Sequence, residues 1–284
     1  MDHATYCAEV VRKFDYPRYL SVLYAPREAR DALMALYAFS SEIARVRELV
    51  REALPGEMRL QWWRDTLAGQ GHGSVGDNPV AAALLQAIDT HDLPVEAFLR
   101  LIDARVFDLY NDPMPSQQDL EGYAGETSSV LLQLASLVLN RDLSGRAFAD
   151  ACGHGGVAYA MVGLVRALPW HAARQQCFLP KDLLEKHGVS STEMFRGNST
   201  PELTSAVEEF LGIAQIHYGK AQVALKETPS VAAPAFLVLT SVPAQLNILT
   251  ADDVDYLKPG KSESPLKLHW TYWKGVRALK KLMA

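Results

Sequence analysis

The sequence has few cysteines, no long apolar run and no excess of positive charge, and each absence excludes a class of protein. Its three cysteines, Cys7, Cys152 and Cys177, lie far apart and form no C-x-x-C pair. This argues against a disulfide framework or a structural zinc site and favours a reducing compartment. The net charge of -5 gives no support to nucleic-acid binding. Apolar stretches such as residues 128–140 are shorter than the ~20 residues that span a bilayer.

The N-terminus also lacks an export signal. Residues 1–5 hold no basic segment followed by an apolar one, so we expect no secretory signal peptide. With 284 residues, 49% of them hydrophobic and 21% charged, the chain has an ordinary globular composition and is long enough to bury a sizeable core. We therefore expect a cytoplasmic protein, one that can be peripheral to the inner membrane.

Apolar residues recur at helical spacing along nearly the whole chain, and neither β-alternation nor an internal repeat is found. Polar stretches are about ten residues at most, which fits loops inside one compact domain. The sequence thus predicts an all-α fold in a single domain spanning residues 1–284. The predicted helices cover residues 4–13, 27–50, 57–68, 79–89, 94–110, 117–140, 145–168, 199–226, 231–249 and 265–282.

The C-terminal part of the chain is basic. Between Lys258 and Ala284 there are seven Lys or Arg residues and one acidic residue, Glu263. Apolar residues recur every three or four positions in the predicted helix 265–282, so this helix is amphipathic. The commoner interpretation is a last helix docked on the core with a solvated basic face. The alternative is contact with acidic lipid or with an acidic partner.

Two segments, residues 36–48 and 163–171, resemble the helices that carry the two aspartate-rich motifs of the squalene and phytoene synthase family. Carboxylates four residues apart on two facing helices form a cavity in which magnesium can hold a prenyl diphosphate. The resemblance implies that the four positions of these motifs are Ala44, Glu48, Ala167 and His171 here, so most of the carboxylates are missing. Arg45 adds a positive charge, and an imidazole nitrogen is a poor magnesium ligand. We expect no catalytic residue and no bound metal.

Pro169 lies between the last two of these positions. A proline removes a helical N–H donor and disfavours α geometry at the residue before it. We therefore expect the preceding helix to end at Leu168. In that case Ala167 and His171 need not share a helix face.

Several short motifs, in order and spacing, resemble the squalene and phytoene synthase family over almost the whole chain. They are residues 14–19, 35–39, 62–65, 120–129, 156–166 and 178–183. The resemblance implies the isoprenoid synthase fold, an all-α helical bundle around a deep central cavity. In that family the two aspartate-rich motifs lie on the helices that carry Ala44 and Ala167 here.

The departures at those motifs are similar to one branch of the family, the mitochondrial assembly factor for respiratory complex I, which is regarded as non-catalytic. Residues 166–171, followed by Arg174 and residues 178–182, carry this resemblance. It implies a complex I subunit or assembly intermediate as the partner, and no cofactor. Because residues 1–5 do not resemble the start of a transit peptide, we expect a bacterial relative.

Two other functions stay open from the sequence. One is an active prenyltransferase joining two prenyl diphosphates, with magnesium held by other carboxylates such as Glu42, Glu48 or Asp65. The other is binding of a prenyl or lipid ligand without turnover, since arginines hold phosphate without a metal. Residues expected to line such a cavity are Arg45, Arg47, Glu48, Tyr123, Arg166, His171 and Arg174. The simplest interpretation is that Glu48 only forms a structural salt bridge, with Arg45 or Arg166.

Overall fold

The computed structural model describes residues 2–71, 75–252, 254–260 and 264–283, and these residues form helices and loops without a strand. The prediction of an all-α fold is therefore confirmed. The helices are α1 (His3–Phe14), α2 (Tyr16–Val22), α3 (Arg27–Ala44), α4 (Val46–Leu49), α5 (Ala53–Leu67), α6 (Pro79–His91), α7 (Val95–Arg105), α8 (Gln117–Ala124), α9 (Val130–Leu139), α10 (Arg146–Ala173), α11 (Lys181–His187), α12 (Ser191–Phe195), α13 (Pro201–Leu225), α14 (Ala233–Phe236), α15 (Val242–Leu249) and α16 (Pro265–Leu282).

Tighter or wider turns connect several of these helices. Turns of 3₁₀ helix occupy Val75–Asp77, Val106–Leu109, Ser230–Ala232 and Leu237–Ser241. A π-helical turn, Gly125–Ser129, joins α8 to α9 without interrupting the helical path. Such wide turns inside helices often occur beside functional sites, and this one borders the cavity described below.

Capping residues set several helix starts. The Asn78 side chain accepts hydrogen bonds from the amides of Val80 and Ala81 at the head of α6. The Ser116 hydroxyl accepts one from Asp119 at the head of α8. Prolines in the first turns of α6, α13 and α16 lose nothing there, because those amides have no partner within the helix.

The predicted helix 27–50 is divided in the structure. The backbone leaves regular α geometry at Arg45 (φ -93°, ψ 0°), where α3 ends and α4 begins. Ala44 and Glu48 therefore do not lie on one uninterrupted helix. The predicted helix 231–249 is divided as well, because Pro234 and Pro243 each sit in the first turn of a new short helix, α14 and α15.

The expectation that Pro169 ends its helix is wrong, since α10 continues through it to Ala173. The missing amide removes one hydrogen bond near the end of a 28-residue helix. The buried side chains of Val165, Leu168 and Ala172 hold that last part of α10 against the core. Ala167 and His171 thus stay four residues apart on a continuous helix.

Other differences concern short segments. The predicted helix 57–68 begins four residues earlier in the structure, at Ala53, and includes Pro55, because proline is tolerated in the first turn of a helix. The helices α2, α11 and α12 were not predicted, since segments of seven, seven and five residues are too short to show periodicity.

The core consists of two clusters of buried apolar side chains. One lies among α1, α3, α6, α7 and α9, and the other lies around α10, α11 and α13. Tyr159 of α10 and Tyr218 of α13 pack against both clusters. Where α10 crosses the π-helical turn, a Cβ atom on Gly156 would overlap the backbone of Ser129, so only glycine permits this approach.

Contrary to the expectation that the apolar stretches are all shorter than a membrane span, residues 230–249 form a helical stretch that is long and apolar enough to cross one, but 67% of its most apolar window is buried inside the molecule. A buried segment of this kind is part of the core.

Candidate functional site

A cavity of about 240 Å³ lies between α2, α3, α7, the π-helical turn and α10. Its walls are basic, since three arginines and one carboxylate, Asp15, reach it. Four serine or threonine side chains line it as well: Ser40, Ser41, Thr127 and Ser128. Only one of the two positions of the expected first motif lies at the cavity. Ala44 lines the cavity, whereas Glu48 lies outside it.

Arg18 enters the cavity wall from α2 and is buried. Its Nη1 donates to the Asp15 carboxylate at 2.6 Å, and its guanidinium carbon lies 5.5 Å from the centre of the Tyr37 ring and 5.2 Å from that of Tyr159. Asp15 also caps α2 by accepting the Arg18 amide. The Nε atom of Arg18 has no hydrogen-bond partner among the described residues. The buried guanidinium group is thus held between two tyrosine rings, and its Nε–H group makes no hydrogen bond.

Arg105, Asp108 and Tyr123 form a closed triangle of hydrogen bonds on the opposite wall. Arg105 Nη1 donates to Asp108 Oδ2 at 2.9 Å and to the Tyr123 hydroxyl at 2.7 Å. That hydroxyl in turn donates to Asp108 Oδ1 at 2.7 Å. Burial raises the pKa of Tyr123 well above its ordinary value, so the phenol keeps its proton. The carboxylate and the phenol are thus paired within the triangle, whereas the buried Arg105 Nε has no hydrogen-bond partner among the described residues.

Glu48, the one carboxylate left at the four motif positions, is held by two arginines. Its Oε2 lies 3.5 Å from Arg45 Nε, and its Oε1 lies 3.5 Å from Arg174 Nη1. Arg45 also covers the ring of Phe14, with its guanidinium carbon 3.4 Å from the ring centre. Glu48 therefore links α4 to the loop after α10 as a salt bridge. A divalent cation at this place would meet one carboxylate and two guanidinium groups.

His171 faces the aromatic packing at the end of α10 rather than an oxygen-lined site. Its ring centre lies 4.7 Å from that of Phe178, and its Nδ1 has no hydrogen-bond partner in the part of the chain that the structure describes. Burial, together with the charges of Arg174 and Arg105, lowers the pKa of His171 to about 4. The imidazole is therefore neutral near pH 7.

The remaining predicted residues lie elsewhere. Arg166 and Ala167 line a separate open groove of about 770 Å³ formed by α10, α15 and residues 254–260. Arg47 donates to the Val50 carbonyl at 3.3 Å. Of the seven residues expected at the cavity, Arg45 and Tyr123 line it, and the glycine at position 163 borders both the cavity and the groove.

The carboxylates proposed as substitute ligands do not converge. Glu42 and Asp65 are absent from the cavity wall, and Asp65 accepts a hydrogen bond from Gln61 at 2.7 Å. Burial raises the pKa of Glu42, which disfavours its charged form. Within residues 2–71, 75–252, 254–260 and 264–283, no group of three His, Cys, Asp or Glu side chains is placed to hold a metal ion.

Sequence reasoning missed Arg18, Arg105 and Asp108 as site residues. Arg18 lies inside the first family-like motif, and Arg105 and Asp108 have the three-residue spacing of a helical ion pair. That spacing is common on solvated helices. Only the contact with Tyr123, which lies 18 residues beyond Arg105, makes the pair part of a cavity wall.

Comparison with known proteins gives a consistent set of similarities. A sequence model described as squalene/phytoene synthase matches residues 11–274. The chain is 34% identical to "NADH dehydrogenase (ubiquinone) complex I, assembly factor 6" of Mus musculus over 275 residues, which cover 95% of this chain and 81% of that one. It is 23% identical to "Presqualene diphosphate synthase" of Rhodopseudomonas palustris over 212 residues, covering 74% and 75% of the two chains.

The fold is similar to that of a solved structure as well. A crystal structure of a dehydrosqualene synthase in complex with ligand superposes with a TM-score of 0.82 at 16% identity, covering 98% of this chain and 97% of that one. At this identity the likeness concerns the fold alone. The expected bundle of the isoprenoid synthase type is thereby confirmed.

Proposed function

Because the chain belongs to the squalene/phytoene synthase family, we propose that it is a non-catalytic member that assists the assembly of respiratory complex I. The main support for the proposal is that Glu48, the one carboxylate left at the four motif positions, forms salt bridges with Arg45 and Arg174. A 34% identical relative named as a complex I assembly factor supports the direction of the proposal.

The chemistry of the motif positions supports the loss of catalysis. Ionising a prenyl diphosphate needs several carboxylates that share magnesium with the phosphates. Losing one preorganised charge stabiliser commonly lowers a rate by about 10²–10³, and three of the four positions here carry Ala44, Ala167 and His171. We therefore propose a protein that works without a metal cofactor.

The proposal includes a partner and a place. The partner is a complex I subunit or an assembly intermediate, and the protein acts in the cytoplasm against the inner membrane. No nucleic acid takes part.

The proposal is tested by deleting the gene in the source organism. We expect less assembled complex I on native gels and slower NADH-driven respiration in membranes, with succinate-driven respiration unchanged as the control. Wild-type protein and the Glu48→Ala variant should both restore complex I, because the carboxylate has only a structural part. Normal complex I in the deletion strain would show that the role is wrong.

An enzymatic role has its own test. Purified protein is incubated with farnesyl or geranylgeranyl diphosphate and magnesium, and pyrophosphate release is measured. We expect none. Release that disappears in Glu48→Ala would favour a prenyltransferase with unusual ligands over the assembly role.

A second candidate, ligand binding without turnover, is favoured by one observation: Arg18, Arg45 and Arg105 converge on a single cavity. Arginines bind phosphate oxygens directly. The cavity volume of about 240 Å³ lies below the roughly 300 Å³ at which pockets for drug-sized ligands begin, so it suits a small anion better than a whole prenyl chain.

Thermal shift with inorganic diphosphate in the presence of EDTA tests this candidate. Binding without metal should raise the melting temperature, and Arg45→Gln should weaken the effect. Arg196→Gln, which removes a surface arginine paired with Glu193, is the control. If diphosphate stabilises the protein only when magnesium is added, metal-free binding is refuted.

A further inference from the structure

The C-terminal helix α16 is fixed to the core along one face. Gly275 lies directly on the segment Leu237–Ser241, because a Cβ atom at this position would come within 2.7 Å of Thr240 Oγ1. Leu268, Tyr272 and Leu279 are buried on the same side. The Tyr16 hydroxyl and His269 Nε2, 3.0 Å apart, join the helix to α2. The helix therefore presents a defined opposite face to the outside.

That opposite face carries an apolar stripe. Leu266, Trp270 and Trp273 are 81%, 56% and 41% exposed, and Arg277 continues the same line. These four residues follow one another at steps of four, three and four, which places them on one side of a helix. We call this face, Leu266, Trp270, Trp273 and Arg277 with the lysines beside it, the tryptophan face.

Cations surround the tryptophan face, and two of them rest on its rings. The rings of Trp270 and Trp273 stack with their centres 5.0 Å apart. Lys274 Nζ lies 4.7 Å from the centre of Trp270, and the Arg277 guanidinium lies 3.8 Å from that of Trp273. Lys267, Lys280 and Lys281 are exposed around them. Residues 264–284 contain no acidic residue, although the whole chain has a net charge of -5.

We propose that the tryptophan face binds the surface of a bilayer that contains anionic phospholipid, with α16 lying parallel to the membrane plane. Tryptophan rings favour the depth of the lipid headgroups, and lysine or arginine beside them pairs with anionic headgroups. The charge of the face is complementary to such a surface. The inference stands apart from the assembly role, since lipid binding can occur with or without it.

Single-stranded nucleic acid, which also favours aromatic and basic residues, fits this face less well. Nucleic-acid bases need a free ring face on which to stack. Here each ring already has the other tryptophan and a cation against it, so a base would have to displace one of them. Leu266, Trp270 and Trp273 nevertheless stay exposed, and exposed apolar surface of this kind can enter a lipid interface.

Vesicle flotation with the full chain tests the proposal. One set of vesicles contains phosphatidylcholine alone, and the other contains equal parts of phosphatidylcholine and phosphatidylglycerol. We expect the protein to float with the anionic vesicles only, and less of it to do so as salt is raised. Its tryptophan fluorescence should shift to shorter wavelength with the anionic vesicles.

Two double variants divide the contributions of charge and ring. Lys274→Gln with Arg277→Gln should lower the partition coefficient roughly 10–30-fold, given the usual contribution of each cation near an anionic surface. Trp270→Ser with Trp273→Ser should lower it about tenfold and abolish the fluorescence shift. All four side chains are exposed, so the fold is kept, and circular dichroism checks this.

Matched controls change the same residue types elsewhere. Arg141→Gln with Lys226→Gln removes two exposed charges far along the chain, and Trp170→Ser removes a tryptophan that is 51% exposed on α10. Neither should alter flotation. The proposal is refuted if the wild type ignores anionic vesicles, if the controls lose binding equally, or if a single-stranded oligonucleotide or a polyglutamate peptide binds this face in preference to lipid.

Discussion

At the residue scale, Glu48 shows how the one carboxylate at the four motif positions is held without leaving an uncompensated charge. Two opposite charges about 3.5 Å apart attract by roughly 5 kcal/mol at an effective dielectric constant of 20, and Glu48 has two such neighbours. Its side chain is 45% exposed, so solvent screening reduces the net gain to about 1 kcal/mol or less. A divalent cation would have to displace both guanidinium groups before it could use this single carboxylate.

His171 gives a prediction on pH. Its pKa in the folded state is about 4, below the ordinary value of 6.5, so the unfolded chain binds a proton there before the folded chain does. Stability from the neutral imidazole is therefore complete above pH 6.5 and is lost as pH falls through the window down to about 4. The loss is at most about 3 kcal/mol. His171→Gln should lose less stability over this window than the wild type.

Urea unfolding at several pH values measures the difference between the two proteins. His3→Gln, which changes an exposed histidine of α1, is the control and should follow the wild type. If wild type and His171→Gln lose stability in parallel between neutral and acidic pH, then His171 is not buried in its neutral form as described.

At the element scale, α10 can cross the π-helical turn closely because Gly156 has no side chain. A methyl group on Gly156 would overlap the Cα and amide nitrogen of Ser129. Backbone atoms cannot move aside as a flexible side chain can, so Gly156→Ala should lower the free energy of unfolding by about 3 kcal/mol, at the upper end for overpacking.

The control for this change lies three residues earlier on the same helix. A Cβ atom on Gly153 meets no atom within 4 Å, so Gly153→Ala should be neutral or stabilise by up to about 1 kcal/mol, as expected for alanine in a helix. Both free energies come from denaturant titration. Equal effects of the two substitutions would mean that α10 does not approach the turn this closely.

Pro169 lies on the same helix, and its replacement should stabilise the protein, whereas Gly156→Ala should destabilise it. It interrupts the hydrogen bonds of α10 although the helix continues to Ala173. Pro169→Ala should restore an amide donor and relieve the clash with the preceding turn, which raises the free energy of unfolding by about 1–3 kcal/mol. Denaturant midpoints of the two proteins decide this. A lower midpoint in Pro169→Ala would indicate that the ring makes a packing contact worth more than the hydrogen bond.

The comparison of elements with sequence shows what periodicity can and cannot reveal. Long amphipathic helices such as α13 and α16 were predicted to within two residues, because their apolar spacing repeats over several turns. The division at Arg45 and the continuation through Pro169 were not predicted. Both depend on packing from other parts of the chain, which a local pattern does not contain.

The candidate site was predictable only in part for the same reason. Arg45 and Tyr123 were selected from motif positions, and both line the cavity. Arg166 was selected in the same way, but the rotation of α10 directs it to the outer groove. Arg18 and Arg105 act through contacts with Tyr37, Tyr159 and Tyr123, which are remote in sequence. Such pairings follow from the tertiary structure and not from spacing.

At the scale of the whole molecule, the fold of a synthase is retained around a cavity whose charges are paired internally. Asp15 balances Arg18, Asp108 balances Arg105, and Glu48 balances Arg45. Buried or half-buried arginines without such partners would destabilise the bundle by several kcal/mol each. Each of these three pairs joins residues three apart along the chain and so neutralises charge locally, whereas the Glu48–Arg174 pair links α4 to the loop after α10.

The packing of the core predicts that the chain unfolds as one unit. Chains well above 150 residues often unfold in steps, and this one has two apolar clusters that could separate. Tyr159 and Tyr218, however, pack against both clusters, and α10 and α13 run together through their boundary. Opening one cluster exposes apolar surface of the other. Urea transitions followed by far-UV and near-UV circular dichroism should therefore coincide.

The Tyr218→Leu variant makes the test more specific, because it reduces the packing against both clusters without introducing a charge into the core. If the clusters are coupled, both signals should move to lower urea together, by an amount that corresponds to about 1–2 kcal/mol. If the near-UV signal falls while the far-UV signal stays, the clusters unfold separately and the single-domain prediction for residues 1–284 fails. Trp170→Ser, which changes an exposed ring outside both clusters, should leave the two transitions where they are.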